Sequence, residues 1–219
     1  MMDSILLIDK PAGMTSFGVV ARVRRVISKQ VGKKVKVGHT GTLDPFATGL
    51  MILVTGKECK NAGHYTKLDK VYEATFRLGQ ISTTGDPEGE ITDVNSDQPP
   101  LEEIETALAH FTGEISQRPP IFSAIKINGQ RAYKLARNGQ EVEIPFRTVN
   151  IYSLELISYD YPNLKIRTHV SSGTYIRSLA VDIGEMLGTG AYCTELRRIS
   201  ISDWDVADAK KLSDLGIED

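Results

Sequence analysis

The sequence predicts an α+β fold, and three observations carry that prediction. Apolar runs of strand length and alternating segments recur along all 219 residues. Helical spacings are scattered among them, without regular strand–helix–strand alternation. No segment repeats at a fixed period and none is of low complexity, which leaves out solenoids and arrays. The length suits one large domain, or one with a small appendage.

Residues 5–8, Ile-Leu-Leu-Ile, form a buried strand stopped by Asp9-Lys10-Pro11 and Gly13. Thr15 or Ser16 caps a helix that starts near Phe17. Its spacing sets Val19, Val20, Val23, Val26 and Ile27 near one face and Arg22, Arg25 and Lys29 on another. Residues 33–37 alternate as a strand, and a glycine-rich loop over 38–49 leads into an apolar strand at 50–54. Residues 71–78 alternate as a further strand. Residues 82–100, with Gly85, Pro87, Gly89, Asn95, Pro99 and Pro100, read as a long polar connection. A helix over 101–111 is closed by Gly113. Arg118-Pro119-Pro120 opens an extended segment, 121–127, followed by an Asn128-Gly129 turn and a short helix over 131–138. Strands at 149–159 and 164–170 pair across Pro162-Asn163. Thr174 caps a helix from Tyr175 to about residue 187, ended by Gly188 and Gly190. The last strand is expected at 199–204 and the last helix at 206–215.

Composition narrows the function classes. With 41% hydrophobic and 25% charged residues the chain has the make-up of a soluble globular protein. It contains no apolar run of about 18 residues that would cross a membrane. The apolar stretch near the start is too short for a signal peptide, so a cytoplasmic location is expected. Cys59 and Cys193 lie far apart and outside any CxxC pair, which speaks against a disulfide framework. The histidines, His39, His64, His110 and His169, are too dispersed for metal-ligand spacing, so neither metal nor cofactor is expected. The net charge of −2 is unevenly spread. Residues 1–80 hold 13 basic and 6 acidic residues, whereas 81–110 hold 8 acidic and no basic ones. A basic surface for nucleic acid is therefore compatible with the slightly negative total.

Two constellations could carry chemistry. The first is Gly38-His39-Thr40-Gly41-Thr42-Leu43-Asp44-Pro45-Phe46-Ala47-Thr48-Gly49. Its glycines allow a ligand to approach the backbone closely, and His39, Asp44 and three threonines offer polar contacts. Asp-Pro also commonly initiates a turn, and spacing alone leaves both readings of Asp44 open. The second is Ser171-Ser172-Gly173-Thr174-Tyr175-Ile176-Arg177-Ser178-Leu179, at a strand end and helix start. An arginine in a first helical turn opposes the helix dipole, so Arg177 calls for a carboxylate or phosphate partner unless it faces solvent.

Beyond these two stretches, ordered motifs span residues 6–198. They are Asp9-Lys10-Pro11-Ala12-Gly13-Met14-Thr15-Ser16 with Val23-Arg24-Arg25, the 38–49 loop, Val71-Tyr72-Glu73-Ala74 with Leu78-Gly79, Gln117-Arg118-Pro119-Pro120 with Ser123-Ala124-Ile125-Lys126, Gly129, Tyr133 and Ala136-Arg137, and residues 173–179 with Asp182, Gly184, Leu187-Gly188 and Leu196-Arg197-Arg198. By these motifs the sequence resembles the TruB family of tRNA pseudouridine synthases. The resemblance implies a mixed, mainly antiparallel sheet with flanking helices and a central catalytic cleft, in a single catalytic domain over 1–219. It implies isomerisation of uridine at position 55 in the TΨC loop of tRNA by a monomer without a cofactor. Asp44 matches the catalytic aspartate, Arg177 the arginine paired with it, and Tyr72 the tyrosine that stacks on the target base. Tyr175 and Leu196 match residues lining the uracil pocket, and His39 a histidine packed near flipped nucleotides. Residues 119–139 match a mobile segment that closes over the RNA. Lys10, Arg25, Lys126 and Arg137 are the expected RNA contacts. Val170 and Ser172 stand where a cysteine and a lysine are usual, and Glu58-Cys59-Lys60 replaces Ala-Thr-Lys. Bacterial members commonly continue into a C-terminal RNA-binding domain of the PUA type, which is expected to be absent after Asp219.

Overall fold

The computed structural model describes residues 3–123, 125–127, 130–131 and 143–217. In chain order the elements are β1 (Ile5–Lys10), α1 (Ser16–Val31), β2 (Val37–His39), β3 (Thr48–Thr55), a 3-10 turn (Gly56–Lys60), α2 (Ala62–Thr66), β4 (Lys70–Leu78), β5 (Gln80–Ser82), β6 (Ile91–Asp93), α3 (Leu101–His110) and β7 (Gly113–Gln117). They continue with β8 (Lys126–Ile127), β9 (Gln130–Arg131), β10 (Arg147–Asp160), β11 (Asn163–Val170), α4 (Ile176–Met186), β12 (Ala191–Ile201) and β13 (Trp204–Asp205). Two compact units result, one of residues 1–72 with 197–219 and one of residues 73–196. The chain passes between them within β4 and within β12.

In the first unit β3 is central. It pairs antiparallel with β1, from Ile5↔Val54 to Lys10↔Gly49, and antiparallel with β2. It pairs in parallel with the end of β12, at Arg197↔Thr48 and Arg198↔Gly49. An unbroken apolar strand suits burial on both faces, and Gly49 to Thr55 are all buried. Leu50, Ile52 and Val54 pack with Tyr65 and Ile201, and Trp204 meets Tyr65 edge-on at 5.7 Å between ring centres. Helix α1 buries Val19, Val20 and Val23; Thr15 caps it, accepting from the Gly18 N–H, and Gly32 ends it in a left-handed turn.

In the second unit β12, β4, β11, β10 and β7 lie in that order. The β10–β11 hairpin closes at Asp160↔Asn163, and β10 pairs antiparallel with β7. Period-two alternation buries Leu164, Ile166, Thr168 and Val170 on β11 and Ala74, Phe76 and Leu78 on β4. Helix α3 buries Ile104, Ala107 and Leu108, and α4 buries Ile176, Leu179, Ala180 and Ile183. Gly184 lets α4 approach the chain at Ala191, where a Cβ would lie 2.2 Å from a backbone nitrogen.

The α+β class and the largely antiparallel pairing agree with the expectation. Several elements differ. The polar connection at 82–100 carries β6, which folds back on β5. Residues 33–36 are not strand, and β2 starts at Val37. Strand β7 was not foreseen, and among the described residues of 121–127 only 126–127 pair as strand. The 131–138 helix and the Asn128-Gly129 turn lie outside the described residues. Thr174 does not cap α4: its hydroxyl donates to the Ser171 carbonyl, and Tyr175 takes the cap position. The expected last helix breaks into two 3-10 turns, Val206–Asp208 and Ser213–Leu215. Between them Lys210 donates to the Leu7 carbonyl and accepts from the Asp9 N–H, so the edge of β1 captures backbone that a helix would have used. No helix among the described residues is long and apolar enough to cross a membrane.

Candidate active site

In the first unit, residues 40–47 link β2 to β3 and carry Asp44. Neighbouring buried polar groups hold this loop. Ser16 Oγ accepts from the Leu43 N–H and is 2.8 Å from the Leu43 carbonyl, to which it donates. Thr40 donates through its N–H and its hydroxyl to the Ile52 carbonyl. The Pro45 carbonyl accepts from the Gly13 N–H at 2.8 Å and from Lys10 Nζ at 3.0 Å. Lys10 also donates to the carbonyls of Pro11 and Met14, both at 2.7 Å. Arg198 donates through Nε to the Leu50 carbonyl at 2.7 Å and through Nη2 to that of Gly41 at 3.3 Å. Gly49, at φ +104°, has room only for hydrogen, since a Cβ would stand 2.3 Å from the Arg198 carbonyl oxygen. Asp44 itself is half-buried, and the Ala47 N–H returns to its carbonyl at 3.2 Å, closing a tight turn. The turn-forming reading of Asp-Pro is thus what the backbone shows, and the turn is braced by buried neighbours.

Lys10, an expected RNA contact, is fully buried. Its three carbonyl acceptors match the three N–H bonds of an ammonium, whereas a phosphate contact needs the cation at the surface. Its geometry makes it a brace for the Asp44 loop. His39 is half-buried on β2 opposite Leu53, and Tyr72 is buried on β4. Lys70 donates to the carbonyls of Thr66 and Leu68 at the end of α2. Burial, reinforced by the charge of Arg198, lowers its pKa to about 8. Arg25 is exposed on α1. Lys126 lies on β8, and Arg137 lies outside the described residues.

In the second unit Arg177 is the second residue of α4 and is buried. Its Nη1 donates to the Thr84 carbonyl at 2.8 Å and its Nη2 to that of Phe122 at 2.9 Å. Nη1 also lies 3.1 Å from Asp86 Oδ2. The other oxygen of Asp86 accepts from Thr84 Oγ1 at 2.6 Å and from the Glu88 N–H at 3.0 Å. Gly85, at φ +72°, turns the chain between these groups, and its carbonyl accepts from the Cys193 N–H. The need of a first-turn arginine for an anionic partner was legible; Asp86 was missed. It sits inside the stretch read as polar connection, and its only signal was Gly85-Asp86-Pro87, which also reads as a turn.

The start of α4 is held to the end of β7. Fully buried Gln117 accepts from the Tyr175 N–H at 2.8 Å and donates to the Tyr175 carbonyl at 3.1 Å. Ser178 Oγ donates to the Arg118 carbonyl at 2.8 Å. The Arg147 guanidinium stands 5.9 Å from the centre of the Tyr175 ring, within cation–π range. Leu196 is buried on β12. A cavity of about 500 Å³ opens beside Arg177, walled by Thr84, Phe122, Phe146, Ser178 and Asp182. Burial, helped by the charge of Glu185, raises the Asp182 pKa to about 6.

Known proteins share this sequence and fold. The profile of the TruB family pseudouridylate synthase N-terminal domain matches residues 26–176, and that of the tRNA pseudouridylate synthase B C-terminal domain matches 177–217. A tRNA pseudouridine synthase B of Burkholderia lata is 45% identical over 92% of this chain, which spans 61% of that relative. One of Phocaeicola vulgatus is 46% identical over 91% of this chain and 86% of its own length. The crystal structure of a Cbf5-Nop10-Gar1 complex contains a chain that superposes with a TM-score of 0.74 at 29% identity, covering 98% of this chain and 56% of that one. The fold and sequence are those of a pseudouridine synthase, a class of isomerases. Within that class the chain belongs to the TruB family.

Proposed function

We propose that this chain converts uridine to pseudouridine at position 55 in the TΨC loop of tRNA, with Asp44 as the reactive carboxylate. The observation that carries the reading is Asp44 itself, half-buried on a turn braced by the buried side chains of Lys10, Ser16 and Arg198. The name tRNA pseudouridine synthase B borne by its relatives supports tRNA as substrate. The reaction breaks the bond between N1 and C1′, turns the uracil, and joins C5 to C1′. The proton leaving C5 is balanced by the one gained at N1, so no oxidant, reductant or co-substrate enters. A carboxylate serves this chemistry as a nucleophile or as a base.

The base must leave its stack to be reached, at a cost of a few kcal/mol. Tyr72 offsets part of this by stacking, about 1–3 kcal/mol for an aromatic on a base. His39 fills space beside the flipped nucleotide, Tyr175 and Leu196 bound the uracil, and Arg177 acts with Asp44. One chain supplies every residue in this assignment, so a monomer suffices, and a tRNA substrate places it in the cytoplasm. The test is to map pseudouridine, base by base, in an unmodified tRNA transcript incubated with the protein. Modification at position 55 supports the reading; modification elsewhere or none overturns it.

A further inference from the structure

Helix α4 opens on a tyrosine rather than on a capping residue. A helix start is ordinarily satisfied by the side chain of its own cap, most often Ser, Thr, Asp or Asn. Here Tyr175 holds the cap position with extended backbone, at φ −108° and ψ 112°, and makes no side-chain cap bond. The hydroxyl of Thr174, one residue earlier, donates to the Ser171 carbonyl instead. The start of the helix is held by Gln117, 58 positions away at the end of β7.

Gln117 is fully buried and meets both backbone groups of one residue. Its Oε1 accepts from the Tyr175 N–H at 2.8 Å, and its Nε2 donates to the Tyr175 carbonyl at 3.1 Å. One side-chain amide thereby does what a paired strand would do, and it keeps Tyr175 extended up to the point where α4 begins. The same carbonyl accepts from the Leu179 N–H at 3.1 Å. Across the ladder between β7 and β10, the partner of Gln117 is Arg147. Its guanidinium stands 5.9 Å from the centre of the Tyr175 ring. Gly173, at φ +87°, leaves room for that group, since a Cβ there would lie 3.3 Å from Arg147 Nη1. A single cross-strand pair therefore grips Tyr175 twice, Gln117 by the backbone and Arg147 by the ring. Securing the helix alone needs neither an aromatic at the cap nor a cation facing it; a serine at the same position would serve.

We propose that Gln117 is a positioning residue of the uridine site, fixing Tyr175 so that its ring, faced by Arg147, is set in place before the base arrives. The inference rests on the reading above, in which Tyr175 bounds the uracil. Gln117→Met keeps the length of the side chain and removes both bonds. The full chain and this variant are compared under conditions where a urea titration shows both fully folded. Pseudouridine formation on an unmodified tRNA transcript gives kcat and KM. The ring resonances of ¹³C-tyrosine-labelled protein give a second readout, with the Tyr175 signal assigned through Tyr175→Phe. Because about 1 Å of misplacement can cost 10²-fold, kcat should fall about 10- to 100-fold while KM stays within about threefold. The Tyr175 signal should move and those of the other tyrosines should stay.

A Gln117→Met variant that loses stability but keeps kcat overturns the proposal. So does one that leaves the Tyr175 signal in place, or one that raises KM rather than lowering kcat. Should Gln117→Met fail to fold, half-buried Arg147 decides the matter. Arg147→Met must then lower kcat and move the Tyr175 signal, and Arg147→Lys, which keeps the cation, must restore both; if either readout stays at its wild-type value in Arg147→Met, the proposal falls. A wild type that forms no pseudouridine while the Tyr175 signal still moves keeps the hold on Tyr175 and removes the isomerase reading. An active wild type with an unmoved signal does the reverse.

Discussion

Arg177 Nη1 lies 3.1 Å from Asp86 Oδ2, and each side chain keeps 6% or less of its accessible surface. The pair is built into its surroundings: two backbone carbonyls take further guanidinium N–H bonds, and two donors occupy the other carboxylate oxygen. Breaking such a pair leaves a buried charge without compensation and costs about 3–5 kcal/mol. Arg177→Ala and Asp86→Ala should each lower the urea midpoint by a corresponding amount, and the double variant should lose clearly less than the sum. Additive losses would show that the pair is not coupled. In the rate assay Asp86→Asn should impair kcat more than KM, because it loosens the arginine assigned to act with Asp44. Arg177→Lys retains charge without the planar fork and should fall between wild type and Arg177→Ala.

Lys10 supports the Asp44 turn from beneath. Lys10→Met keeps the apolar stem and removes the ammonium, leaving the carbonyls of Pro11, Met14 and Pro45 without that donor. Buried groups left unsatisfied cost about 1–3 kcal/mol each, although water or local rearrangement reduces the total. Lys10→Met should unfold at lower urea and turn over slowly, while the salt slope of tRNA binding stays at the wild-type value. A drop in that slope by about 0.9 would restore Lys10 to the RNA surface and count against its role as a brace.

Lys10 also shows where sequence reading stops. The loop with Asp44, the strand after it and the capped helix were legible, because glycines, an unbroken apolar run and Thr15 are local signals. The partners of those residues were not. Nothing local distinguishes a lysine that reaches a phosphate from one that reaches Pro45, 35 positions on. Asp86 is 91 positions from Arg177, and Gln117 is 58 from the Tyr175 backbone it holds. The end of the chain was misread for the same reason: Val206 to Leu215 has helical spacing, but pairing of Lys210 with β1 decides its shape.

Two desolvated groups, half-buried Asp182 and buried Lys70, predict opposite pH slopes of stability. The Asp182 carboxyl has a folded-state pKa of about 6, above its unfolded value, so between about pH 4 and 6 the folded protein holds the extra proton. Stability should fall as pH rises through that window. Asp182→Asn should flatten it and add about 1–2 kcal/mol at neutral pH, after allowance for solvent screening. Lys70, lowered to about 8, loses its proton first in the folded state, so stability should rise between about pH 8 and 10. Lys70→Met should remove that rise. Urea titrations at stepped pH measure both, and a slope of the wrong sign in either window refutes the corresponding assignment.

Uridine isomerisation balances without a metal or cofactor, so the rate should survive EDTA once the tRNA has been folded and moderate monovalent salt is present. The rate of pseudouridine formation before and after chelation measures this. Activity restored by a transition metal alone, with Mg²⁺ ineffective and the RNA fold unchanged, would contradict it.

Asp44 carries the largest predicted effect. Asp44→Asn preserves size and the Asp-Pro-like turn but removes the charge and the nucleophilic oxygen. The braces from Lys10, Ser16 and Arg198 contact backbone atoms of Pro45, Leu43 and Gly41, so the turn should survive and the urea midpoint should move little. Pseudouridine formation should fall below detection, while affinity for tRNA stays within a few-fold, since the stacking proposed for Tyr72 and contacts to phosphates do not depend on the carboxylate. Tyr72→Phe separates two parts of the same site: it retains the stacking ring and loses the hydroxyl, so normal binding with slow turnover would assign proton transfer to that hydroxyl. The measurement is single-turnover pseudouridine mapping with purified variants, checked by mass spectrometry for reversion of Asn to Asp. Activity of Asp44→Asn within tenfold of wild type would move the chemistry off this carboxylate and leave its braced turn with a purely structural role.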